Sequence, residues 1–167
     1  MVRRKDQQGS LPVIFQFTIY ARKTDIRKAK DAADRGYAGV IAYTRGKRFS
    51  PDEVIPYVYD RRDAYEVIDW ISKQSWCNGK VGMMGGSYNG FTQWAVTKRM
   101  HPALKTIVHS AAAAPGIDVP MMNNVFMSFP FPWIYYVTNN KWLDNDDYNS
   151  PHWGALTQDW FNKGLSY

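Results

Sequence analysis

The sequence predicts an α/β fold, a parallel sheet with crossover helices, in its first two thirds. Three observations predict it. Short, nearly continuous apolar runs recur at Leu11–Phe17, Ala38–Tyr43, Lys80–Met84 and Leu104–His109. Between them, apolar residues recur at helical spacing, and after Ala111 the alternation stops. Strand, helix, strand, helix, strand, helix, strand is the order that right-handed crossovers build into a parallel sheet.

Leu11–Phe17 (Leu-Pro-Val-Ile-Phe-Gln-Phe) reads as a strand covered on both faces. From Thr24 to Arg35, Ile26, Ala29 and Ala33 mark a helix, and Gly36 stands where a C-terminal cap belongs. Ala38–Tyr43 is a second buried strand, and a polar loop runs from Thr44 to about Val58. Asp60 to Gln74 carries Ala64, Val67, Ile68 and Ile71, the stripe of an amphipathic helix, with Asp60 and Asp63 suited to its N-terminal turn. Asn78-Gly79 marks a turn before the Lys80–Met84 strand. A third helix is expected from Tyr88 to about Met100, ending before Pro102, and Leu104–His109 is the fourth strand. Pro115-Gly116, Met121-Met122 and Phe129-Pro-Phe-Pro-Trp133 open a different region, aromatic and irregular to helical. The expected division is residues 1–115 as an α/β core and 116–167 as a region laid over it.

The chain has 167 residues, of which 45% are apolar and 16% aromatic, a composition that excludes disorder. Its net charge of +6 is dispersed over Arg3-Arg4-Lys5, Arg27-Lys28, Arg45-Gly-Lys-Arg48 and Lys98-Arg99. No run forms a nucleic-acid arm, so a solvated-face charge excess is the expected reading and no nucleic-acid partner is expected. The single cysteine, Cys77, rules out an internal disulfide and reads as a small residue in the loop before a strand. No apolar run approaches the ~20 residues of a membrane span, and the first ten residues lack a signal peptide's apolar core. The compartment is left open, cytoplasmic by default, and no membrane partner is expected. No His/Cys/carboxylate cluster has ligand spacing, so neither a metal nor another cofactor is expected.

Chemistry concentrates at Gly82-Met-Met-Gly-Gly-Ser87-Tyr-Asn-Gly90, a small-residue turn between a strand and a helix. No frame of it supplies the dinucleotide fingerprint G-x-G-x-x-G, and the lysine of a Walker phosphate loop is absent. A nucleophile elbow of the α/β-hydrolase kind remains, beside a purely structural tight turn. In an elbow, Ser87 would be the nucleophile, activated by a histidine that a carboxylate orients. The backbone N–H of Tyr88 would point at the developing oxyanion. A second donor comes from the loop after an earlier strand, here Thr18-Ile19-Tyr20-Ala21-Arg22, where Tyr20 is either that donor or an ordinary loop aromatic.

Asp60-Arg-Arg-Asp-Ala-Tyr-Glu-Val-Ile-Asp-Trp70-Ile, followed by Trp76-Cys-Asn-Gly-Lys-Val-Gly-Met-Met-Gly-Gly-Ser87-Tyr-Asn-Gly90, resembles the family of cocaine esterase, α-amino-acid ester hydrolases and X-prolyl dipeptidyl aminopeptidases. The family's elbow reads G-x-S-Y-x-G, which accommodates Asn89 and places the second glycine at Gly90. Pro12–Tyr20 resembles the family's first central strand and tyrosine loop. Tyr43-Thr-Arg45-Gly46 resembles its D-x-R-G loop, with tyrosine where aspartate is common. The likeness is close over about residues 11–115.

The resemblance implies an α/β-hydrolase core followed by the start of a helical cap. It implies Ser87 as the acylated serine, with the Tyr88 N–H and the Tyr20 hydroxyl forming the oxyanion hole. Phe126, Phe129 and Trp133, with Phe131 and Tyr135 beside them, are candidates for the acyl pocket, though aromatic stripes more often belong to a core. It also implies that the catalytic acid and histidine lie beyond the cap and that strands precede Leu11, so the chain is expected to be truncated at both ends and inactive alone. Of the histidines present, His101 is expected to cap a helix end and His109 to be structural. His152 is in the order Ser87, Asp118, His152 that the fold requires of a triad, but it falls inside the cap.

The expected function is a serine hydrolase of esters or amides, taking a small molecule or a short peptide. The competing expectation is a non-catalytic remnant that binds a ligand or partner. A sheet with bare edges also favours self-association.

Overall fold

The computed structural model describes residues 1–144 and 151–164. A parallel sheet forms from β1 (Leu11–Thr18), β2 (Ala38–Tyr43), β3 (Cys77–Gly86) and β4 (Leu104–Ser110), in the spatial order β2-β1-β3-β4. The crossovers are α1 (Asp25–Asp34), α2 (Asp60–Ser72) and α3 (Tyr88–Thr97). Each expected strand and helix of the first two thirds is present. Beyond them lie a hairpin, β5 (Met121–Met122) with β6 (Val125–Phe126), and two helices, α4 (Pro130–Thr138) and α5 (Pro151–Lys163).

The periodicity of the strands decides which helix covers which face. Val13, Phe15 and Phe17 of β1 join Val40, Val81, Met83 and Leu104 in one buried cluster with Ala64, Ile68 and Ile71 of α2 and Val96 of α3. Gly39, on the alternate face of β2, meets α1 instead. A Cβ built there would stand 2.1 Å from the Ala29 carbonyl oxygen, so only glycine lets the helix backbone approach this closely. The buried face of α1 is accordingly small: Ala29, Ala32 and Ala33. Ile26, expected in that stripe, is 57% exposed in the first turn, outside the contact those alanines make.

The Asn78-Gly79 turn is corrected to a bulge within β3. Leu11 pairs with Cys77 but Val13 pairs with Val81, so β3 carries extra residues opposite β1, and Gly79 takes φ +79°. Cys77 consequently begins the strand, buried at 8% exposure. The third helix ends at Thr97, short of Met100, and α2 ends at Ser72.

Ligands of open parallel sheets gather beyond the carboxyl ends of the strands. Here those ends deliver Tyr20 after β1, Thr44 to Lys47 after β2 and Ser87 after β3. Among the described residues, no helix is long and apolar enough to cross a membrane.

Candidate active site

Ser87 sits between β3 and α3 at φ 57°, ψ −127°, a backbone region that residues other than glycine rarely enter. Its neighbours hold it there. The Ser87 N–H donates to the Ser110 and Ala111 carbonyls at 3.0 and 3.1 Å, and its carbonyl accepts from Gly90, Phe91 and Ala113. Strand and helix pass close enough that small residues are required. A Cβ at Gly85, where φ is +144°, would lie 2.7 Å from Asn89 Cβ, and one at Gly90 would lie 2.7 Å from Ala112 Cβ. Asn89 is thus accommodated because the glycines fall on either side of it. The result is a strained turn that leaves Ser87 exposed.

Tyr20 faces this hydroxyl. Tyr20 Oη and Ser87 Oγ are 3.2 Å apart, with either able to donate. Trp133 Nε1, a donor only, donates a hydrogen bond to Tyr20 Oη at 3.3 Å. At the start of its loop the Tyr20 N–H donates to Thr18 Oγ1 at 3.0 Å. Tyr88 and Asn89 open α3, so their N–H groups have no carbonyl one turn back to accept them.

The Tyr88 side chain points the other way, into the protein, where it is 1% exposed. Its hydroxyl donates to Asp60 Oδ2 at 2.8 Å and accepts the Tyr57 N–H at 2.9 Å. Burial pushes the Asp60 carboxyl up to about 6, against the lowering effect of the Tyr88 hydroxyl. Asp60 Oδ1 and Thr44 Oγ1 are both buried without a partner and line the same small cavity. Burial likewise raises the Tyr57 and Tyr88 hydroxyls above their ordinary range.

The departure at Tyr43 has a local account. Its hydroxyl donates to Asp25 Oδ2 at 2.9 Å, and burial with that carboxylate raises it to about 12. Arg45 pairs with Asp63 of α2 at 2.5 Å, so the helix-start aspartates serve side chains, Asp60 taking Tyr88 and Asp63 taking Arg45.

The expected pocket aromatics divide. Trp133 and Val137, four apart on α4, face the site, with Trp133 stacked 5.8 Å from Tyr57 and tilted 5.9 Å from Tyr88. Phe131 and Tyr135 occupy another face and meet Trp153 of α5 at 5.6 and 4.7 Å. Phe126 lies on the hairpin and Phe129 precedes α4 at 37% exposure; neither is in the buried cluster around Tyr20 and Tyr88.

No histidine hydrogen-bonds to Ser87 among the described residues, which include all three. His101 does not cap carbonyls as expected. Its Nδ1 accepts the Ala103 N–H at 3.0 Å and its Nε2 stands 3.4 Å from Asp69. His109 is exposed on β4, its ring 5.0 Å from that of Trp94. His152 is exposed on α5, while Asp118 accepts the Ala114 N–H at 2.7 Å, so the Ser87, Asp118, His152 order is not assembled by hydrogen bonds.

Sequence reasoning missed a buried ion pair beneath the Tyr20 loop. Lys47 and Asp144, both fully buried side chains, pair at 2.6 Å. Lys47 Nζ also donates to the Val137 and Asn140 carbonyls at 2.8 Å each. Asp144 Oδ2 accepts the Ala21 N–H at 2.8 Å. Burial pushes the Asp144 carboxyl above its ordinary value, with Lys47 opposing it. Lys47 and Asp144 look like loop charges in the sequence, and no pattern there foretells their burial.

A parallel sheet whose third strand runs into a strained serine turn defines an α/β-hydrolase. The chain belongs to the X-Pro dipeptidyl-peptidase (S15) family, whose sequence profile matches residues 2–160. It is 38% identical over 117 residues to the cocaine esterase of Rhodococcus sp. (strain MB1 Bresler), covering 66% of this chain and 20% of that protein. It is 33% identical over 107 residues to the Xaa-Pro dipeptidyl-peptidase of Lactobacillus delbrueckii subsp. lactis, covering 50% and 13%. An α-amino acid ester hydrolase structure matches with TM-score 0.70 and 27% identity, over 83% of this chain and 27% of that one. A CocE/NonD family hydrolase from Staphylococcus aureus matches with TM-score 0.53 and 26% identity, over 62% and 23%. The family is one of serine hydrolases, and this chain spans a fifth or less of the length of these curated relatives.

Proposed function

We propose that the chain carries the nucleophile region of a serine hydrolase that cleaves esters or amides through an acyl-enzyme on Ser87. The observation that carries this reading is the exposed Ser87 hydroxyl on a strained turn, 3.2 Å from the Tyr20 hydroxyl. A histidine contributed by sequence outside these residues would take the Ser87 proton as Oγ attacks the substrate carbonyl. The carbonyl oxygen, becoming an anion, would lie between the Tyr88 N–H and the Tyr20 hydroxyl. Collapse would expel the alcohol or amine, which takes the proton from the imidazolium; water would then release the acid by the same steps. Trp133, holding Tyr20 and stacked on Tyr57, would wall the acyl side, with Phe126 and Phe129 farther out. The substrate class is a small ester or amide or a short peptide, and the chain alone is expected to turn over none.

The second reading, a non-catalytic remnant that binds a ligand or partner, draws on the absence of any histidine hydrogen-bonded to Ser87 among the described residues. Intact-mass analysis after exposure to a fluorophosphonate probe, beside Ser87→Ala, separates the two. A single adduct lost in the variant supports hydrolase chemistry at Ser87. A folded protein that stays unlabelled, even when assembled with the sequence that supplies the histidine and acid, overturns it.

A further inference from the structure

Lys47 and Asp144 have more to do than hold charge. A buried ion pair contributes little net stability over an apolar pair of similar volume, so its retention calls for an account in position. All three Lys47 donors are used: Val137 O at 2.8 Å, Asn140 O at 2.8 Å and Asp144 Oδ1 at 2.6 Å. Val137 is in the last turn of α4, the helix that carries Trp133, and Asn140 lies two residues beyond that helix's end. Asp144 in turn grips Ala21 from both sides of its peptide: Oδ2 accepts the Ala21 N–H at 2.8 Å, and the Asp144 N–H donates to the Ala21 carbonyl at 2.9 Å. Ala21 follows Tyr20, and Tyr20 Oη meets both Trp133 Nε1 and Ser87 Oγ. The pair therefore ties three separate segments together at one point: the loop after β2, the end of α4 and the loop after β1.

We propose that Lys47 and Asp144 are positioning residues that set the Tyr20 hydroxyl and its Trp133 partner against Ser87. This rests on the hydrolase reading for its catalytic consequence, but the positioning can be read without turnover. Neither residue touches Ser87; each acts through Ala21 or through α4.

The test uses the 15N-labelled chain, with the Trp133 indole resonance assigned by its loss in Trp133→Phe. Two variants are compared with the native chain: Asp144→Asn, which keeps the shape, and the double change Lys47→Met with Asp144→Leu, which replaces the pair by apolar groups. Lys73→Met, which breaks the exposed Lys73–Asp69 pair, is the control. The expected result is a displaced Trp133 indole resonance in both variants and none in the control, with both variants folded and unfolding cooperatively. The double variant's midpoint should fall, because the Ala21 N–H and the Val137 and Asn140 carbonyls lose side-chain partners. A folded double variant whose Trp133 indole stays at the native position overturns the proposal. Loss of folding in both variants also overturns it, leaving the pair as structural support alone. In a form of the protein with Ser87-dependent turnover, kcat should fall about tenfold to a hundredfold with KM within about twofold. A displaced Trp133 resonance, with no Ser87-dependent turnover even when the chain is assembled with the sequence that supplies the histidine and acid, defeats the hydrolase reading while sustaining the positioning role.

Discussion

Tyr88 Oη donates to Asp60 Oδ2 at 2.8 Å, so the residue that follows Ser87 is moored to the first residue of α2. The mooring carboxyl is 3% exposed, with one oxygen unpartnered, and burial holds its pKa at about 6 against an ordinary 3.8. Between those values the folded chain binds a proton that the unfolded chain has released. Stability from this group is therefore fully present below the lower value and is lost as pH rises through the upper one. The loss is on the order of 3 kcal/mol for a shift of this size. Urea unfolding from about pH 4 to about pH 7 should show this fall in the native chain. Asp60→Asn, which still accepts from Tyr88 and does not titrate, should lack it. Equal slopes in the two would remove Asp60 as the cause.

Tyr20→Phe removes the hydroxyl that faces Ser87 while keeping the ring that meets Tyr88 edge-on at 6.5 Å. If that hydroxyl stabilises an oxyanion, kcat in a form with Ser87-dependent turnover should fall by about 10²–10³, with KM little changed. Steady-state kinetics on an activated ester checks it; a fall confined to KM would mean that Tyr20 binds substrate and does not stabilise the transition state.

The core was legible because its signals are local. The Val13, Phe15, Phe17 alternation and the Ala64, Ile68, Ile71 spacing each name a buried face within one element. Ser87 was legible because a strained turn restricts residue type over a few consecutive positions, and Gly85 and Gly90 mark it. The Lys47–Asp144 pair spans 97 residues and follows no period, so no window of sequence contains it. The same holds for Trp133 on Tyr20, 113 residues apart: the family resemblance offers Trp133 as a candidate, but only packing separates it from Phe131 and Tyr135 two positions away on the same helix. His101 was misread for a related reason, because its partners Asp69 and Ala103 lie on either side of it in the fold and only one is near in sequence.

Gly90→Ala tests the close approach of α3 to the segment after β4. The added methyl would stand 2.7 Å from Ala112 Cβ and 2.8 Å from its Cα, atoms that cannot turn aside as a flexible side chain can. Destabilisation of about 1–3 kcal/mol is expected. Gly154→Ala is the matched control, since it lies within α5 with nothing within 4 Å of the added atom, and it should stabilise by up to about 1 kcal/mol. Urea midpoints of the two variants should move in opposite directions.

The strain at Ser87 predicts a separation between stability and chemistry. At φ 57°, ψ −127° a Cβ is unwelcome, and the energy of that conformation is held by the hydrogen bonds to Ser110, Ala111, Gly90, Phe91 and Ala113. Ser87→Ala deletes the hydroxyl and keeps the Cβ, so the strain persists and stability should stay near that of the native chain. Ser87→Gly deletes both. Relief of about 1–3 kcal/mol of strain is opposed by the roughly 0.5–1 kcal/mol that glycine's extra freedom costs on folding. Ser87→Gly should therefore be more stable than Ser87→Ala by about 1 kcal/mol, although both lack the fluorophosphonate adduct. Denaturant midpoints of the two variants measured side by side decide it. A glycine variant less stable than the alanine variant would mean that the turn stores no strain, and the conformation of Ser87 would then need another explanation than readiness for attack.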